Sequence, residues 1–132
     1  MTILELNEVR NLRDELNREL GRQRSLEAAI DGITSTIDGM PRSTGYASRT
    51  EKLATLLVDT SEIIRKLNER IVTASIELTE RLFTFDLTVC ERDILIQRYV
   101  KCLPFRKVAA AVNLSIDHTF RLHRTALKKT VR

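Results

Sequence analysis

The sequence predicts an all-α protein, in which a long helical hairpin of coiled-coil character precedes a C-terminal three-helix unit of the helix-turn-helix type. Three observations lead to this prediction. Apolar residues recur at helical spacing through two long stretches, which a glycine-rich segment separates. Capping residues and a proline divide the last third of the chain into three short helices. That last third also concentrates the positive charge, with ten Lys or Arg and three Asp or Glu between Leu87 and Arg132.

The first long helix is predicted over residues 3–30. Its apolar side chains repeat at helical period, and within it only Gly21 disfavours a helix, by about 1 kcal/mol relative to Ala. Residues 31–49 follow, and they hold three of the four glycines, one of the two prolines and six Ser or Thr. This composition predicts a long loop that joins the two helices of the hairpin.

The second long helix is predicted from about residue 50 to residue 82. Its apolar stripe steps alternately by four and three residues over four heptads, as the seam of a coiled coil does. A two-helix hairpin is thin and leaves an apolar flank on each helix. The pattern therefore favours a homo-oligomer, and a dimer is the favoured form. A monomeric hairpin that folds back on the C-terminal unit is the alternative. The seam residues expected to hold the oligomer together are Leu53, Leu57, Ile64, Leu67, Ile71 and Leu78.

The C-terminal unit is predicted over residues 87–132, after a hairpin domain of residues 1–86. Its first helix opens with Thr88 and Glu91, which have the spacing of a capping box. In that motif each side chain binds a free backbone N–H of the other residue. The helix is expected to end near Cys102.

The next two helices have the sequence pattern of a helix-turn-helix. Pro104 begins a short helix of small residues that ends at Val112. Asn113 tolerates left-handed geometry and Ser115 is a good cap, so a short turn is expected before a last helix over residues 116–130. In such units the second helix enters the major groove of DNA by its N-terminal residues.

The charge distribution predicts a partner with a phosphate backbone. Residues 87–132 carry a net charge of +7, whereas residues 1–86 carry a net charge of −3. Positive charge concentrated on a compact helical unit is typical of proteins that bind double-stranded DNA. Phosphates are expected to meet basic residues of the last two helices, namely Arg106, Lys107, Arg124, Lys128, Lys129 and Arg132.

The first two turns of the last helix supply the candidate contacts to base edges. Arg121 comes first, because a guanidinium pairs bidentately with guanine O6 and N7. Phosphate contact or plain solvation is the alternative for Arg121, and packing against a neighbouring helix is the alternative for Phe120. The complete set of expected base contacts is Arg121, His118, Asp117, Phe120 and Ile116.

Other functional classes are not indicated. The sequence has no Gly-rich phosphate loop and no nucleophile beside a positioned histidine, so neither an enzyme nor a cofactor is expected. His118 and His123 are five residues apart, which is the wrong spacing for two metal ligands on one helical face, and His123 is expected to pack the domain. No apolar run approaches the roughly 20 residues that cross a membrane, and no signal-peptide pattern begins the chain, so a cytoplasmic protein is expected.

Residues 87–100, with the sequence Leu-Thr-Val-Cys-Glu-Arg-Asp-Ile-Leu-Ile-Gln-Arg-Tyr-Val, resemble the opening helix of region 4 in bacterial sigma factors. More narrowly, the chain is similar to a family of small phage and prophage transcriptional regulators with a region-4-like C-terminus. Where that family often has Ile-Ala and Gly, this chain has alanines at 109–111 and an asparagine at 113. The likeness extends to the segment 40–43 and the long helices beside it. Its C-terminal part rests on Arg98-Tyr99, Val108-Ala109, Asn113-Leu114-Ser115, Phe120-Arg121-Leu122-His123 and Ala126-Leu127-Lys128.

The resemblance implies a bacteriophage transcriptional regulator that binds promoter-region DNA in the cytoplasm of a bacterial host cell. Contact with bacterial RNA polymerase is a further implication. Two alternatives stay open. A small terminase subunit, which packages phage DNA, also combines a helix-turn-helix with oligomerising helices, and it forms a ring of many subunits. A protein-docking module binds RNA polymerase or another phage protein and never touches DNA.

Overall fold

The fold is all-α, as predicted, in a computed structural model that describes residues 1–35 and 44–132. Those residues form six α-helices and no strand. A single π-helical segment, Ile96–Val100, continues the fourth helix. The α-helices are α1 Ile3–Leu6, α2 Glu8–Ser35, α3 Thr44–Thr84, α4 Val89–Leu95, α5 Phe105–Val112 and α6 Ile116–Thr130.

The loop predicted over residues 31–49 is helical at both of its ends. Helix α2 continues to Ser35 and α3 already begins at Thr44. The prediction was wrong there because single glycines, such as Gly32, are tolerated within a helix at a modest cost. Residues 36–43, which include the proline and the segment 40–43 of the family likeness, lie outside the described residues.

The described chain divides into two compact units, one formed by Met1–Arg13 with Arg70–Arg132 and the other by Asp14–Glu69. This division differs from the one predicted between residues 86 and 87. The contacts of Arg92 in α4 explain the difference. Its guanidinium donates to the carbonyl of Leu82 at 3.4 Å and lies 4.7 Å from the ring centroid of Phe83. The end of α3 therefore belongs with the C-terminal helices.

In the first unit, the N-terminal helices lie against the end of α3. A capping box starts α1, in which the N–H of Thr2 donates to the Glu5 carboxylate at 2.7 Å and the Thr2 hydroxyl accepts from the N–H of Glu5 at 3.2 Å. The same carboxylate pairs with Arg81 of α3 at 3.4 Å. Apolar residues of both segments are buried here, namely Leu6, Val9, Leu12, Ile71, Ala74, Leu78 and Leu82.

The heptad seam of α3 is partly covered by the chain itself. Leu67, Ile71 and Leu78 expose only 2, 7 and 5% of their surface. Leu53, Leu57 and Ile64 are half-buried. Heptad spacing reports that a face is covered, but it does not distinguish a partner in the same chain from one in another copy. At the three buried positions the cover comes from the single chain, and the predicted oligomer stays a prediction.

Within residues 1–35 and 44–132, every helix falls short of the length and hydrophobicity that a membrane span requires.

Candidate nucleic-acid interface

The cap of α4 forms only half of the predicted capping box. The Thr88 hydroxyl accepts from the N–H of Glu91 at 3.2 Å, as expected. The Glu91 carboxylate, however, turns away from the backbone of Thr88 and accepts from the Nζ of Lys129 at 2.9 and 3.0 Å. The Glu91 side chain is only 5% exposed. An ion pair between the start of α4 and the end of α6 thus replaces the second half of the motif.

The π-helical segment Ile96–Val100 and the residues after it shape the entry to α5. The N–H of Lys101 donates to the carbonyl of the fifth residue before it, at 3.0 Å. Cys102 then adopts a left-handed conformation with φ of 57°. The Arg98 guanidinium donates to the carbonyl of Leu103 at 3.0 Å and holds this connection in place.

The turn between α5 and α6 is three residues long, as predicted. Asn113 is left-handed, with φ of 58° and ψ of 42°. The Ser115 hydroxyl accepts from the N–H of His118 at 3.2 Å and so caps α6. Thr119, which is fully buried, donates its hydroxyl to the carbonyl of Ser115 at 2.8 Å. These bonds fix the first turn of α6, from which the candidate base contacts project.

Small and aliphatic side chains form the core behind α6. Val108 and Ala109 of α5 and Ile94 and Leu95 of α4 are buried, and both helices contact α6. Ala126 of α6 is likewise fully buried. The opposite face of α6 is exposed to solvent.

A partly buried polar contact joins the π-helical segment to the middle of α6. The Tyr99 hydroxyl lies 2.8 Å from Nε2 of His123, and the Phe105 ring meets the His123 ring edge-on at 4.8 Å between centroids. Burial, and then the nearby charge of Arg98, lowers the pKa of His123. Burial raises the pKa of the Tyr99 hydroxyl. His123 is half-buried and packs the domain, as the sequence predicted.

The exposed face of α6 carries the residues predicted to contact bases. Asp117, His118 and Arg121 are exposed, while Ile116 and Phe120 are 43 and 41% exposed. In an α-helix, positions 117, 121, 124 and 128 form one continuous stripe, because they are separated by four, three and four residues. All five candidate base contacts lie at the surface of the first two turns, and two of them, Asp117 and Arg121, belong to this stripe.

Phe120 is both packed and exposed, so the two interpretations of this residue are compatible. Its ring lies 4.6 Å from that of Phe105, centroid to centroid. Phe105 in turn receives the Arg98 guanidinium 4.4 Å from its ring centroid. Sequence reasoning missed Phe105 and Arg98 as supports of this surface. Phe105 directly follows a proline at a helix start, and this position was the one available indication.

The basic residues predicted to meet phosphates divide into two groups. Arg106 and Lys107 are exposed in the first turn of α5, and Arg124, Lys128 and Arg132 are exposed in or after α6. In the described part of the chain none of these five forms an ion pair. Lys129 differs, because its ammonium is held by Glu91. The pair with Glu91 gives Lys129 a structural role in the domain, and its contact with a phosphate stays a prediction.

Comparisons of the chain with protein-family models, curated proteins and solved structures find no match. Among the described residues, no group of three or more His, Cys, Asp or Glu is arranged to hold a metal ion.

Proposed function

We propose that this protein binds double-stranded DNA sequence-specifically through α5 and α6 and regulates transcription. The observation that supports the proposal is the exposed first half of α6. It presents a guanidinium, an imidazole, a carboxylate and two apolar side chains within two turns of helix. These are the groups that distinguish base edges in the major groove, since Arg pairs with guanine and apolar side chains meet the thymine methyl.

Fixed positioning of α6 supports the proposal further. The Ser115 cap holds its first turn, the contact between Tyr99 and His123 holds its middle, and the pair between Glu91 and Lys129 holds its last turn. A recognition helix discriminates bases only when its side chains are held in a definite register with the duplex, and phosphate contacts provide that register. Because α6 is tied to its own domain at three levels, its side chains keep fixed positions relative to the phosphate contacts that orient the domain on the duplex.

The surrounding charge suits a duplex. The unit that contains α6 holds fourteen Lys or Arg and eight Asp or Glu, a net charge of +6. Exposed cations without an ion pair in the described residues lie on both sides of the turn, at Arg106 and Lys107 before it and at Arg124 and Lys128 after it. Cations placed on both helices allow α5 to hold the backbone while α6 lies in the groove.

The role in transcription rests on the resemblance to phage regulators and to region 4 of sigma factors. The same resemblance supports binding to a site near a promoter and contact with bacterial RNA polymerase. A terminase subunit differs chiefly in forming a large ring. The burial of Leu67, Ile71 and Leu78 within the single chain favours the regulator, because these seam residues are occupied before any ring forms.

The test is selection of duplexes from a random-sequence library by the purified protein, followed by titration of the recovered DNA at several salt concentrations. A recovered motif, bound with an affinity that falls steeply as salt rises, is the expected result. Light scattering of the same preparation is expected to give a monomer or a dimer. No binding at low salt contradicts the proposal in favour of a protein-docking module, and a ring of eight or more subunits favours DNA packaging.

A further inference from the structure

A line of ring and cation contacts leads away from α6 towards the N-terminal part of the same unit. Phe120 of α6 meets Phe105 of α5 at 4.6 Å between centroids. The guanidinium of Arg98 lies over the Phe105 ring, 4.4 Å from its centroid. Arg98 is half-buried in the middle of the π-helical segment. A cation thus stands directly beside the candidate recognition surface, on a different helix.

Two further arginines reach the same place from α2. Nη2 of Arg13 lies 3.5 Å from the carbonyl oxygen of Val100, which is the last residue of the π-helical segment. Arg10 lies one helical turn earlier on the same face of α2. Burial lowers the pKa of Arg98, and the positive charge of Arg10 lowers it further. Lys101, which is exposed, follows directly in the chain.

These four cations have no acidic partner among the described residues. By contrast, Arg65 pairs with two glutamates of its own helix, and Arg81 pairs with Glu5. Gathering like charges without a counter-ion costs free energy in the free protein. An anion that binds between them recovers this free energy, and a guanidinium suits a phosphate because its planar fork donates two parallel hydrogen bonds.

We propose that Arg10, Arg13, Arg98 and Lys101 form a second contact with the DNA backbone, which we call the basic anchor. The inference rests on the proposed function, because it assigns further phosphates of the same duplex to a surface beside α5. The location of the basic anchor indicates that its partner is the same DNA. The contacts from Phe120 through Phe105 to Arg98 make the anchor continuous with the candidate recognition surface. The N-terminal helix thereby takes part in DNA binding, a role that the sequence does not indicate.

The test uses the full chain and a duplex of random sequence of about 40 base pairs, because phosphate contacts are independent of sequence. The double variant Arg10→Gln/Arg13→Gln removes two anchor charges. Its plot of log affinity against log salt is expected to be less steep than that of the parent by about two, at about 0.9 for each phosphate contact. The matched control Arg18→Gln/Arg24→Gln removes the same charge from α2 outside the anchor and is expected to keep the parental slope.

Two additional variants separate the anchor from indirect effects. Arg10→Lys/Arg13→Lys retains the charge and is expected to keep a slope close to the parental one. Lys101→Gln changes a single exposed residue, leaves the arginine contacts intact, and is expected to lower the slope by about one. Circular dichroism and thermal unfolding of each variant confirm that only folded protein enters the comparison.

The outcomes distinguish this inference from the proposed function. A parent that binds with steep salt dependence, together with anchor variants that match it in slope, overturns the anchor and leaves DNA binding by α5 and α6 standing. A parent that binds no duplex at low salt overturns both. A control double variant that loses as much slope as the anchor variant also overturns the anchor, because the effect then reflects net charge alone.

Discussion

The Nζ of Lys129 lies 2.9 and 3.0 Å from the two carboxylate oxygens of Glu91, joining the last turn of α6 to the first turn of α4. The side chain of Glu91 is 5% exposed, whereas that of Lys129 is 40% exposed. A carboxylate taken out of water is costly unless a cation and hydrogen-bond donors satisfy it. Lys129 meets that need here, and as a result the end of the candidate recognition helix is fixed to the domain.

Removing the cation from this pair is expected to destabilise the fold. Lys129→Met leaves the buried Glu91 carboxylate without its partner, at an expected cost of about 1–3 kcal/mol, since the lysine itself is partly solvated. Urea unfolding followed by circular dichroism measures the loss. The control Lys128→Met, at the exposed neighbouring position, is expected to stay within about 0.5 kcal/mol of the parent. Equal stabilities for the two variants would contradict the structural role of Lys129.

The half-buried His123 predicts a specific loss of stability in mild acid. Burial lowers its pKa below the ordinary value of 6.5, so the folded chain binds this proton less readily than the unfolded chain. As pH falls through about 6.5, the unfolded state takes up the proton first, and stability is lost until the pH reaches the lowered pKa of the folded state. Above that window, where both states are neutral, His123 makes no pH-dependent contribution.

Unfolding free energies measured from about pH 7.5 down to about pH 5 test this prediction. The variant His123→Gln keeps a polar group for the Tyr99 hydroxyl but cannot take up the proton. Its stability is expected to fall less steeply with decreasing pH than that of the parent. The variant His118→Gln changes the exposed histidine of the same helix and is expected to retain the parental slope. The same slope in parent and His123→Gln would show that His123 does not contribute.

Local features of the fold were predictable from the sequence because they depend on near neighbours. Thr88 and Ser115 cap their helices as predicted, and Asn113 is left-handed as predicted. Each of these outcomes follows from backbone groups within three or four residues. The seven-residue spacing of apolar positions in α3 likewise identified the face that is covered at Leu67 and Leu78.

Contacts between distant residues were not predictable in the same way. Glu91 has a suitable backbone N–H three residues away, yet it pairs with Lys129, which is thirty-eight residues away. Burial of Glu91 beneath α6 decides between the two, and a single sequence does not reveal that proximity. The contacts of Arg92 with Leu82 and Phe83 at the end of α3 likewise arise only in the folded chain, and the sequence alone does not indicate them.

The seam of α3 gives a prediction about stability within one chain. Leu78 is 5% exposed and Ile76, two residues earlier, is 55% exposed. Truncating the buried side chain in Leu78→Ala is expected to cost about 2–4 kcal/mol, because it removes apolar contacts and leaves a cavity. Truncating the exposed one in Ile76→Ala is expected to cost less than about 1 kcal/mol. Thermal or urea unfolding of the two variants provides the comparison.

Light scattering of these variants addresses the oligomer. If Leu78 is covered only by its own chain, Leu78→Ala lowers stability but keeps the mass of the parent at temperatures where it is folded. A variant that is fully helical and yet has half of the parental mass would show that this part of the seam holds two copies together. Loss of mass in Ile76→Ala would instead locate the dimer contact on the outer face of α3.

The candidate recognition helix gives the sharpest functional prediction, in a pair of exposed basic residues seven positions apart. Arg121 lies in the second turn of α6 and Lys128 lies near the end of this helix. In the proposed complex with DNA, Arg121 meets base edges and Lys128 meets phosphates. Arg121→Ala is expected to lower discrimination between a selected site and random DNA by about 1–3 kcal/mol. Lys128→Ala is expected to weaken both DNAs about equally and to lower the salt slope by about one. Titrations of both variants with both duplexes measure the two effects, and an Arg121→Ala variant with parental discrimination would contradict the assignment of α6 as the recognition helix.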